Sequence, residues 1–447
     1  MYSNLLTRLR VLLKNKLVGN ILIVGSLTLL IKGLGFYKET LVASNFGLSL
    51  ILDTFFVAFL IPGFIQNVFL ESFNTVFIPN YITETKSENS NIGSFQALGF
   101  VTSIAAATFF SLIAVLGTDF YLEAFFPGKE EVYYSLVKDQ FYIILPCIYF
   151  WSISSMLSSL LKINDEFTFS SIGGIFVAAS IIICIFFFKE RLGNLLLSVG
   201  TLVGSVFQSL YLLIVCIKYR IIELSIPDFK NRNALILFRQ MPAKVSSGLL
   251  TGMNTIVDQF FAAQLVVGSI AAMNYGLKMP AFLIGILVIA LNSVLLPQFS
   301  KMVLDNRENA FNFYYRTIKF LFLGAGFFAI MGIFLTDFLV ELFFQRNEFT
   351  AEDTVIVSEI QKIYLIYTPF AICGMVTVNF LTSLNKNSVM AYASLIAVIL
   401  NFVGDYILFT HFGVFGIALC TTIVVILKNI FLLYFAVKVH AKYKSLE

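Results

Sequence analysis

Long apolar stretches follow one another along almost the whole chain, and they restrict its fold more than any other feature. Each is about 20 residues or longer, enough to span a membrane as a helix with a rise of about 1.5 Å per residue. Twelve such stretches can be counted. Hydrophobic residues make up 58% of the chain and charged residues 13%, against roughly 45–50% and about 25% in soluble domains. The chain is therefore predicted to cross a membrane many times.

The apolar stretches are predicted to be helices, because lipid-facing backbone must satisfy its own hydrogen bonds. No ten-residue alternating pattern, which is typical of barrel strands, is present. The expected fold class is an all-α polytopic membrane protein. The predicted spans are 17–46, 50–82, 94–118, 133–162, 167–188, 192–218, 236–266, 269–299, 311–343, 354–384, 388–410 and 413–438.

Lysine and arginine are distributed unevenly among the short loops. Seventeen lie on one predicted side and four on the other, which places both termini in the cytoplasm. The net charge of +4 follows from this asymmetry, so nucleic acid is not an expected partner. All five cysteines lie within spans, with no paired spacing and no histidine nearby. Neither a disulfide nor a metal site is predicted, and no cofactor is expected.

A proline and asparagine pattern recurs in the two halves at a constant offset of 218 residues. The first copy is Pro62, Asn74 and Pro79, and the second is Pro280, Asn292 and Pro297. Helix-breaking residues at equivalent places in two halves indicate a repeat-built transporter, and the helix is expected to break in both copies. The halves are predicted to be two six-helix bundles, related as parallel repeats around a central cavity. Their ranges are 1–217 and 235–447, joined by a cytoplasmic linker over 218–234.

Charged residues inside the predicted spans are candidates for a binding site. Lys32 lies near the middle of the first span, before Gly33 and Gly35, where that long helix is expected to bend. Lysine at the centre of a membrane helix costs roughly 2.5–3.5 kcal/mol, so it should face a wet cavity or a partner. Other charges at depth are Lys38, Glu39, Asp53, Glu71, Asp258 and Lys278.

These charges are expected to line one shared interior. Lys32, Lys38 and Lys278 form a cationic lining that suits an anionic headgroup such as a diphosphate. The acids Glu39, Asp53, Glu71 and Asp258 are expected either to pair with these lysines or to bind a proton or cation. Two alternatives stay open: Lys38, Glu39 and Asp53 as interfacial side chains, and Asp405 as a solvated group near an outer helix end. Residues predicted to kink helices or act in gating are Gly33, Gly35, Pro62, Pro280, Asn74 and Asn292.

Several blocks of sequence resemble the MurJ (MviN) family of lipid-linked glycan flippases. They include KGLGFYKETLVASNFG (32–47), LDTFFVAFLIPGF (52–64), FLESFNTVFIPNY (69–81), RQMPAKVSSGL (239–249), VDQFFAAQLVVGSIAAMNYGLK (257–278), NSVLLPQFSK (292–301) and LFFQRNEFTAEDT (342–354). The resemblance covers both halves. It implies a bacterial cytoplasmic (inner) membrane transporter that works by alternating access, with a lipid-linked glycan as substrate.

The resemblance also implies site residues. Family basic residues associated with the diphosphate of the lipid carrier match Lys32, Lys38 and Lys278, and the acid that opens the second helix matches Asp53. Lysine replaces the family's arginine at the three basic positions, which removes bidentate phosphate geometry. Gln66 and Asn67 stand in place of an arginine pair. Twelve helices are expected here, whereas the resemblance implies the fourteen that family members typically have.

The predicted function is translocation of a polyprenyl-diphosphate-linked saccharide, either lipid II or an exopolysaccharide, O-antigen or capsule repeat unit. The coupling ion is left open between H⁺ and Na⁺, membrane lipids are the other partners, and a monomer is expected to function. A cation-coupled drug exporter of the same superfamily is an alternative. An enzyme is not expected, since only two histidines and short outer loops are present. A scaffold role would leave the buried lysines without a purpose.

Overall fold

The computed structural model describes residues 16–87, 90–384 and 386–444, and nearly all of them are helical. None of these residues lies in a strand, which confirms the all-α class. The α-helices are α1 (Lys16–Phe46), α2 (Leu50–Ile65), α3 (Glu71–Thr85), α4 (Ile92–Leu116), α5 (Thr118–Phe125), α6 (Glu131–Ile144), α7 (Cys147–Ile163), α8 (Phe167–Ile172), α9 (Ile175–Leu192), α10 (Leu196–Lys218), α11 (Arg232–Ala263), α12 (Ser269–Asp305), α13 (Arg307–Phe344), α14 (Ala351–Ser383) and α15 (Asn387–Lys444).

Seven helical stretches in the described part are long and apolar enough to cross a membrane. Two of them, Phe167–Lys218 and Ser388–Lys444, have 52 and 57 residues. Each would be roughly 80 Å long if straight, more than twice the hydrocarbon thickness of about 30 Å. Each is instead interrupted at a glycine with positive φ, Gly193 at 49° and Gly413 at 56°. Each stretch therefore accounts for two predicted spans.

The chain forms two compact units. Unit 1 contains the residues through Val42 together with Val57–Leu122 and Lys129–Gly248. Unit 2 contains Ala43–Phe56, Glu123–Gly128 and the residues from Leu249 onward. Helix α11 contributes to both units. The division into 1–217, 218–234 and 235–447 stays a prediction.

Each unit has its own core of large side chains. In unit 1, Phe77 is completely buried and stacks on Phe95, with ring centroids 5.5 Å apart. In unit 2, the ring of Tyr314 lies parallel to that of Phe380, with centroids 4.4 Å apart. Aromatic pairs of this kind add about 0.5–1.5 kcal/mol beyond the area that they bury. The two cores hold the helices that carry the polar groups described below.

The segment between α10 and α11, inside the predicted linker, is hydrogen-bonded to other parts of unit 1. Its backbone N–H groups at Glu223 and Asp228 donate to the side chains of Gln96 and Ser94, both at 2.8 Å. The carboxylate of Glu84 is only 1% exposed, and it accepts from the side chains of Asn231 at 3.0 Å and Asn233 at 2.6 Å. The linker segment is thus a docked part of unit 1.

The two proline-containing segments differ in secondary structure. After Pro62, a π-helical turn over Gln66–Leu70 separates α2 from α3. The equivalent Pro280 lies inside α12, which is continuous for 37 residues. The expectation of a matching helix break in both copies is therefore wrong for the second copy. A proline at this position is therefore not sufficient to break the helix, and the surrounding packing must also contribute.

Candidate functional site

The basic residues of the first helix lie in unit 1. Lys32 is half-buried in α1 and has no ion-pair or hydrogen-bond partner among the described residues. Lys38 and its neighbour Glu39 form an ion pair at 2.5 Å, with 21% and 16% of their side chains exposed. Among the described residues, no atom lies within 4 Å of a Cβ added at Gly33 or Gly35. Bending of α1 at these glycines stays a prediction.

Lys278, the third predicted phosphate ligand, lies in unit 2. It is half-buried in α12, two residues before Pro280. The side chain of Asn292, a predicted gating residue further along the same helix, lies outside the described part of the structure. The grouping of Lys278 with the lysines of unit 1 around one ligand stays a prediction.

Asp53 caps the N-terminus of α12, within unit 2. Its Oδ2 accepts from the backbone N–H of Gly268 at 2.6 Å, and its Oδ1 accepts from that of Ala271 at 2.8 Å. The carboxylate is 4% exposed. A negative group is favourable there because the first N–H groups of a helix have no partner within it. Asp53 thus has a structural role that the sequence did not predict.

The end of α1 and the turn before Asp53 make further contacts within unit 2. The N–H of Glu348 donates to the carbonyl of Ser44 at 3.1 Å, and the side chain of Asn347 donates to Ser44 Oγ at 2.8 Å. A Cβ at Gly47 would collide with the carbonyl of Glu348. We call residues 43–56, with these contacts and the Asp53 cap, the clasp. The clasp ties the turn between α1 and α2 to the loops before α12 and α14.

Asp258 is the predicted acid that the structure brings together with other polar groups. Its Oδ1 accepts from Asn401 Nδ2 at 3.0 Å, and its Oδ2 accepts from Thr421 Oγ1 at 3.0 Å. Asn401 Nδ2 also lies 3.3 Å from Asp405 Oδ2. Both carboxylates thus accept from the same amide group. We call these four residues the carboxylate cluster.

The burial of Asp405 corrects one sequence-based expectation. This residue was expected to be solvated near a helix end, but it is fully buried. Asn401 and Asp405 are four residues apart in α15, so both lie on one helix face and point to the same neighbour. That spacing inside an apolar span was the available sequence signal. Their contact with Asp258, 143 residues away from Asn401, could not be read from it.

The atoms of the carboxylate cluster that can coordinate a small cation are all oxygens. Asn401 Oδ1 and Asp405 Oδ1 are buried and have no hydrogen-bond partner in the described part of the chain. Oxygen ligands suit hard cations, and two adjacent carboxylates can also share one proton. In the described ranges, no group of three or more His, Cys, Asp and Glu residues could hold a metal ion. The cluster thus presents two adjacent carboxylates and two unpartnered oxygens within the described part of the chain.

The remaining predicted acid, Glu71, lies in unit 1 at the start of α3. It is exposed and lines a polar cavity together with Asn74, whose Nδ2 donates to Ser155 Oγ. Gln66, one of the residues in place of the family's arginine pair, lines the same cavity. The cavity also collects four serines of α7 and Gln208, which the sequence did not single out.

The fold has many helices that can cross a membrane, and charged and amide side chains lie buried among them. Together with the sequence repeat, these features are typical of a polytopic membrane transporter. The family model described as Lipid II flippase MurJ matches residues 42–447. The chain therefore belongs to this family, which confirms the resemblance found in its sequence.

Individual relatives agree with this membership. A protein of Buchnera aphidicola subsp. Schizaphis graminum, named a probable lipid II flippase MurJ, is 27% identical over 370 residues, covering 80% of this chain and 71% of that protein. A solved structure of lipid II flippase MurJ in an inward closed conformation matches with a TM-score of 0.80 and 23% identity, covering 93% of this chain and 87% of the other. A MATE family multidrug transporter in an inward-facing conformation matches with a TM-score of 0.71 and 12% identity, covering 94% and 99%. The last two likenesses establish the shared fold.

Proposed function

We propose that this protein translocates a polyprenyl-diphosphate-linked saccharide, lipid II in the first place, across the bacterial cytoplasmic membrane. Membership of the lipid II flippase family, matched over residues 42–447, is the observation that carries this proposal. The transport is non-enzymatic and proceeds by alternating access in a monomer. Both termini lie in the cytoplasm, in keeping with the excess of lysine and arginine on that side.

Lysines bind the diphosphate in this proposal. Lys32 supports the assignment because it is a half-buried cation without a partner among the described residues. A cation in that position is costly unless an anion or water meets it. Lys38 exchanges Glu39 for phosphate oxygens when the substrate enters, and Lys278 supplies a third positive charge. The polyprenyl tail stays in the lipid.

The carboxylate cluster of unit 2 binds the coupling cation, Na⁺ or H⁺. Support comes from its two unpartnered oxygens and from the two carboxylates, which a bound cation would neutralise. Movement of the clasp away from α12 would open the outer side and expose the substrate. Cation binding and clasp opening thus reside in the same compact unit.

Flipping of lipid II in proteoliposomes tests the substrate assignment. Lys32→Ala and Lys278→Ala should each lower the rate by about tenfold or more, because a hydrogen bond to a charged group contributes roughly 1.5–3 kcal/mol. The exposed Lys301→Ala is the matched control and should flip at the wild-type rate. Wild-type flipping by both test variants, at normal expression, would refute the lysine site.

The cation assignment is tested by titrating transport with Na⁺ at fixed pH and with pH at fixed Na⁺. One of the two dependences should be saturable in the wild type and lost in Asp258→Asn and Asp405→Asn. Asp337→Asn is the control, since 67% of that side chain is exposed. If both variants retain the wild-type dependence, the cluster is not the coupling site.

A further inference from the structure

A polar cavity lies inside unit 1, among helices that are otherwise apolar. Its volume is about 390 Å³, within the range of roughly 300–1,000 Å³ that is usual for small-molecule sites. Three parts of the unit line it: the segment from the π-helical turn through α3, helix α7 and helix α10. A cavity of this kind needs a polar occupant, because apolar ligands would leave its hydrogen-bonding groups unsatisfied.

The interior of the cavity is uncharged. Four serines of α7 and the amide side chains of Gln66, Asn74 and Gln208 provide most of its polar surface. The two charged residues, Glu71 and Lys162, are both exposed. The lining thus lacks the concentrated positive charge that a phosphate requires and the acidic groups that would hold a drug cation.

Two of the amides are available to a ligand. Gln66 and Gln208 make no side-chain hydrogen bond within the described ranges, whereas Asn74 donates to Ser155 Oγ. The π-helical turn begins at Gln66, and such a turn shifts the direction of the side chains that follow an ordinary helix. An amide offers two donors and an acceptor, and a hydroxyl offers both roles at once.

Trp151 gives the cavity a rigid aromatic component. Its Nε1 donates to Ser205 Oγ at 2.9 Å, and its ring meets Phe59 edge-on with centroids 5.7 Å apart. Both contacts fix the orientation of the indole. An aromatic ring among amides and hydroxyls matches a sugar ring, which has apolar C–H faces and a rim of groups that donate and accept hydrogen bonds.

We propose that this cavity binds the saccharide of the lipid-linked substrate, separately from the lysines that bind its diphosphate. The inference rests on the proposed flippase function and adds the part of the substrate that unit 1 recognises. Gln66 and Gln208 form hydrogen bonds with the hydroxyl and acetamido groups of an N-acetylated sugar, and the serines of α7 form further hydrogen bonds with it. Lys32 and Lys38 bind any polyprenyl diphosphate, whether or not it carries a sugar.

Equilibrium binding of two carriers to the full-length protein in nanodiscs tests the proposal. One carrier is undecaprenyl diphosphate, and the other is the same lipid bearing an N-acetylated disaccharide. We expect the wild type to bind the glycosylated carrier about tenfold more tightly, as about two net hydrogen bonds would give. Gln66→Leu and Gln208→Leu should each reduce this preference about threefold and leave binding of the bare carrier unchanged.

Two controls separate the possible failures. Gln264→Leu, at an exposed position after α11, should keep the full preference, whereas Lys32→Ala should weaken binding of both carriers equally. An unchanged preference in both cavity variants, or equal weakening of both carriers by them, would overturn the saccharide site. Absence of binding of either carrier by the wild type would instead overturn the proposed function itself. Because the two leucine variants lie on different elements, misfolding of one leaves the other as a test.

Discussion

The two proline-containing segments, residues 52–84 and 270–302, have prolines at equivalent positions but differ in secondary structure. They carry prolines at the same offset of 218 residues, yet the first is divided by a π-helical turn and the second is one uninterrupted helix. Proline alone therefore does not set the break. A π-helical turn places one extra residue in a helical turn and is frequent at functional sites, and only the first segment has one.

The side chains of the two segments differ in the same sense. Polar residues at the start, in the middle and at the end of the first segment have apolar counterparts 218 positions later. The pairs are Asp53 with Ala271, Gln66 with Ile284, Glu71 with Ile289, and Glu84 with Met302. The two repeats thus keep equivalent prolines but have diverged in their polar side chains. In the first segment that chemistry supports the clasp, the polar cavity and the docked linker.

The largest effect is expected at the start of the first segment, at Asp53. Asp53→Ala should lower the free energy of unfolding by about 3–6 kcal/mol, because two hydrogen bonds to a charged group are lost, each contributing roughly 1.5–3 kcal/mol. Both bonds are short, at 2.6 and 2.8 Å, and the carboxylate is buried. Titration with SDS in mixed micelles measures the change. Asp53→Asn should lower the free energy of unfolding by a smaller amount than Asp53→Ala, since the asparagine side chain keeps one acceptor oxygen but carries no charge.

Asp337→Ala is the matched control for Asp53. Its side chain is 67% exposed and pairs with Lys362, and an exposed ion pair contributes about 1 kcal/mol or less. A free energy of unfolding for Asp53→Ala within about 1 kcal/mol of the wild type would show that the cap of α12 is not a stabilising feature. The asymmetry between Asp53 and Ala271 would then need another explanation.

A smaller and more local effect is expected at the end of the first segment, at Glu84. Glu84 accepts hydrogen bonds from the backbone of Asn91 and from the side chains of Asn231 and Asn233. Glu84→Ala should free the linker segment, because these donors then turn to water. A loss of about 2 kcal/mol corresponds to roughly thirtyfold faster tryptic cleavage between α10 and α11. Limited proteolysis of the intact protein measures it.

Glu223→Ala provides the comparison for Glu84, since that side chain is exposed and lies in the linker itself. It removes one negative charge from the same region but leaves intact the three hydrogen bonds that Glu84 accepts. Equal cleavage rates for the two variants would mean that Glu84 does not hold the linker. Faster cleavage in Glu84→Ala alone would assign the docking to its buried carboxylate.

The sequence predicted those features that depend on local composition. Helix class and the places where the two longest helical stretches are interrupted follow from hydropathy and polar gaps. Long-range pairing was not predictable in this way. Asp53 meets backbone groups 215 and 218 residues away, and hydropathy does not show which helix face meets which neighbour. The same limitation made Asp405 seem solvated, although it is buried against Asp258 and Asn401.

The smallest effect is expected for the prolines themselves, and it addresses the origin of the π-helical turn. Pro62→Ala restores a backbone donor one turn before Gln66, which allows regular helical hydrogen bonds to form there. We expect the free energy of unfolding to change by about 1 kcal/mol or less, since the lost constraint and the new bond oppose each other. The side chain at position 66 should nevertheless move, because a regular helix rotates it relative to α7.

Cysteine labelling makes this movement measurable. All five native cysteines are buried, so a new thiol in Gln66→Cys dominates the reaction with a water-soluble maleimide. Its labelling rate should change severalfold when Pro62→Ala is added, while that of Ile284→Cys should stay the same when Pro280→Ala is added, because α12 is already regular there. Unchanged rates in both pairs would assign the π-helical turn to tertiary packing alone. Gly248 would then be the residue to examine, since a Cβ there would lie 3.3 Å from the carbonyl of Val68 within the turn.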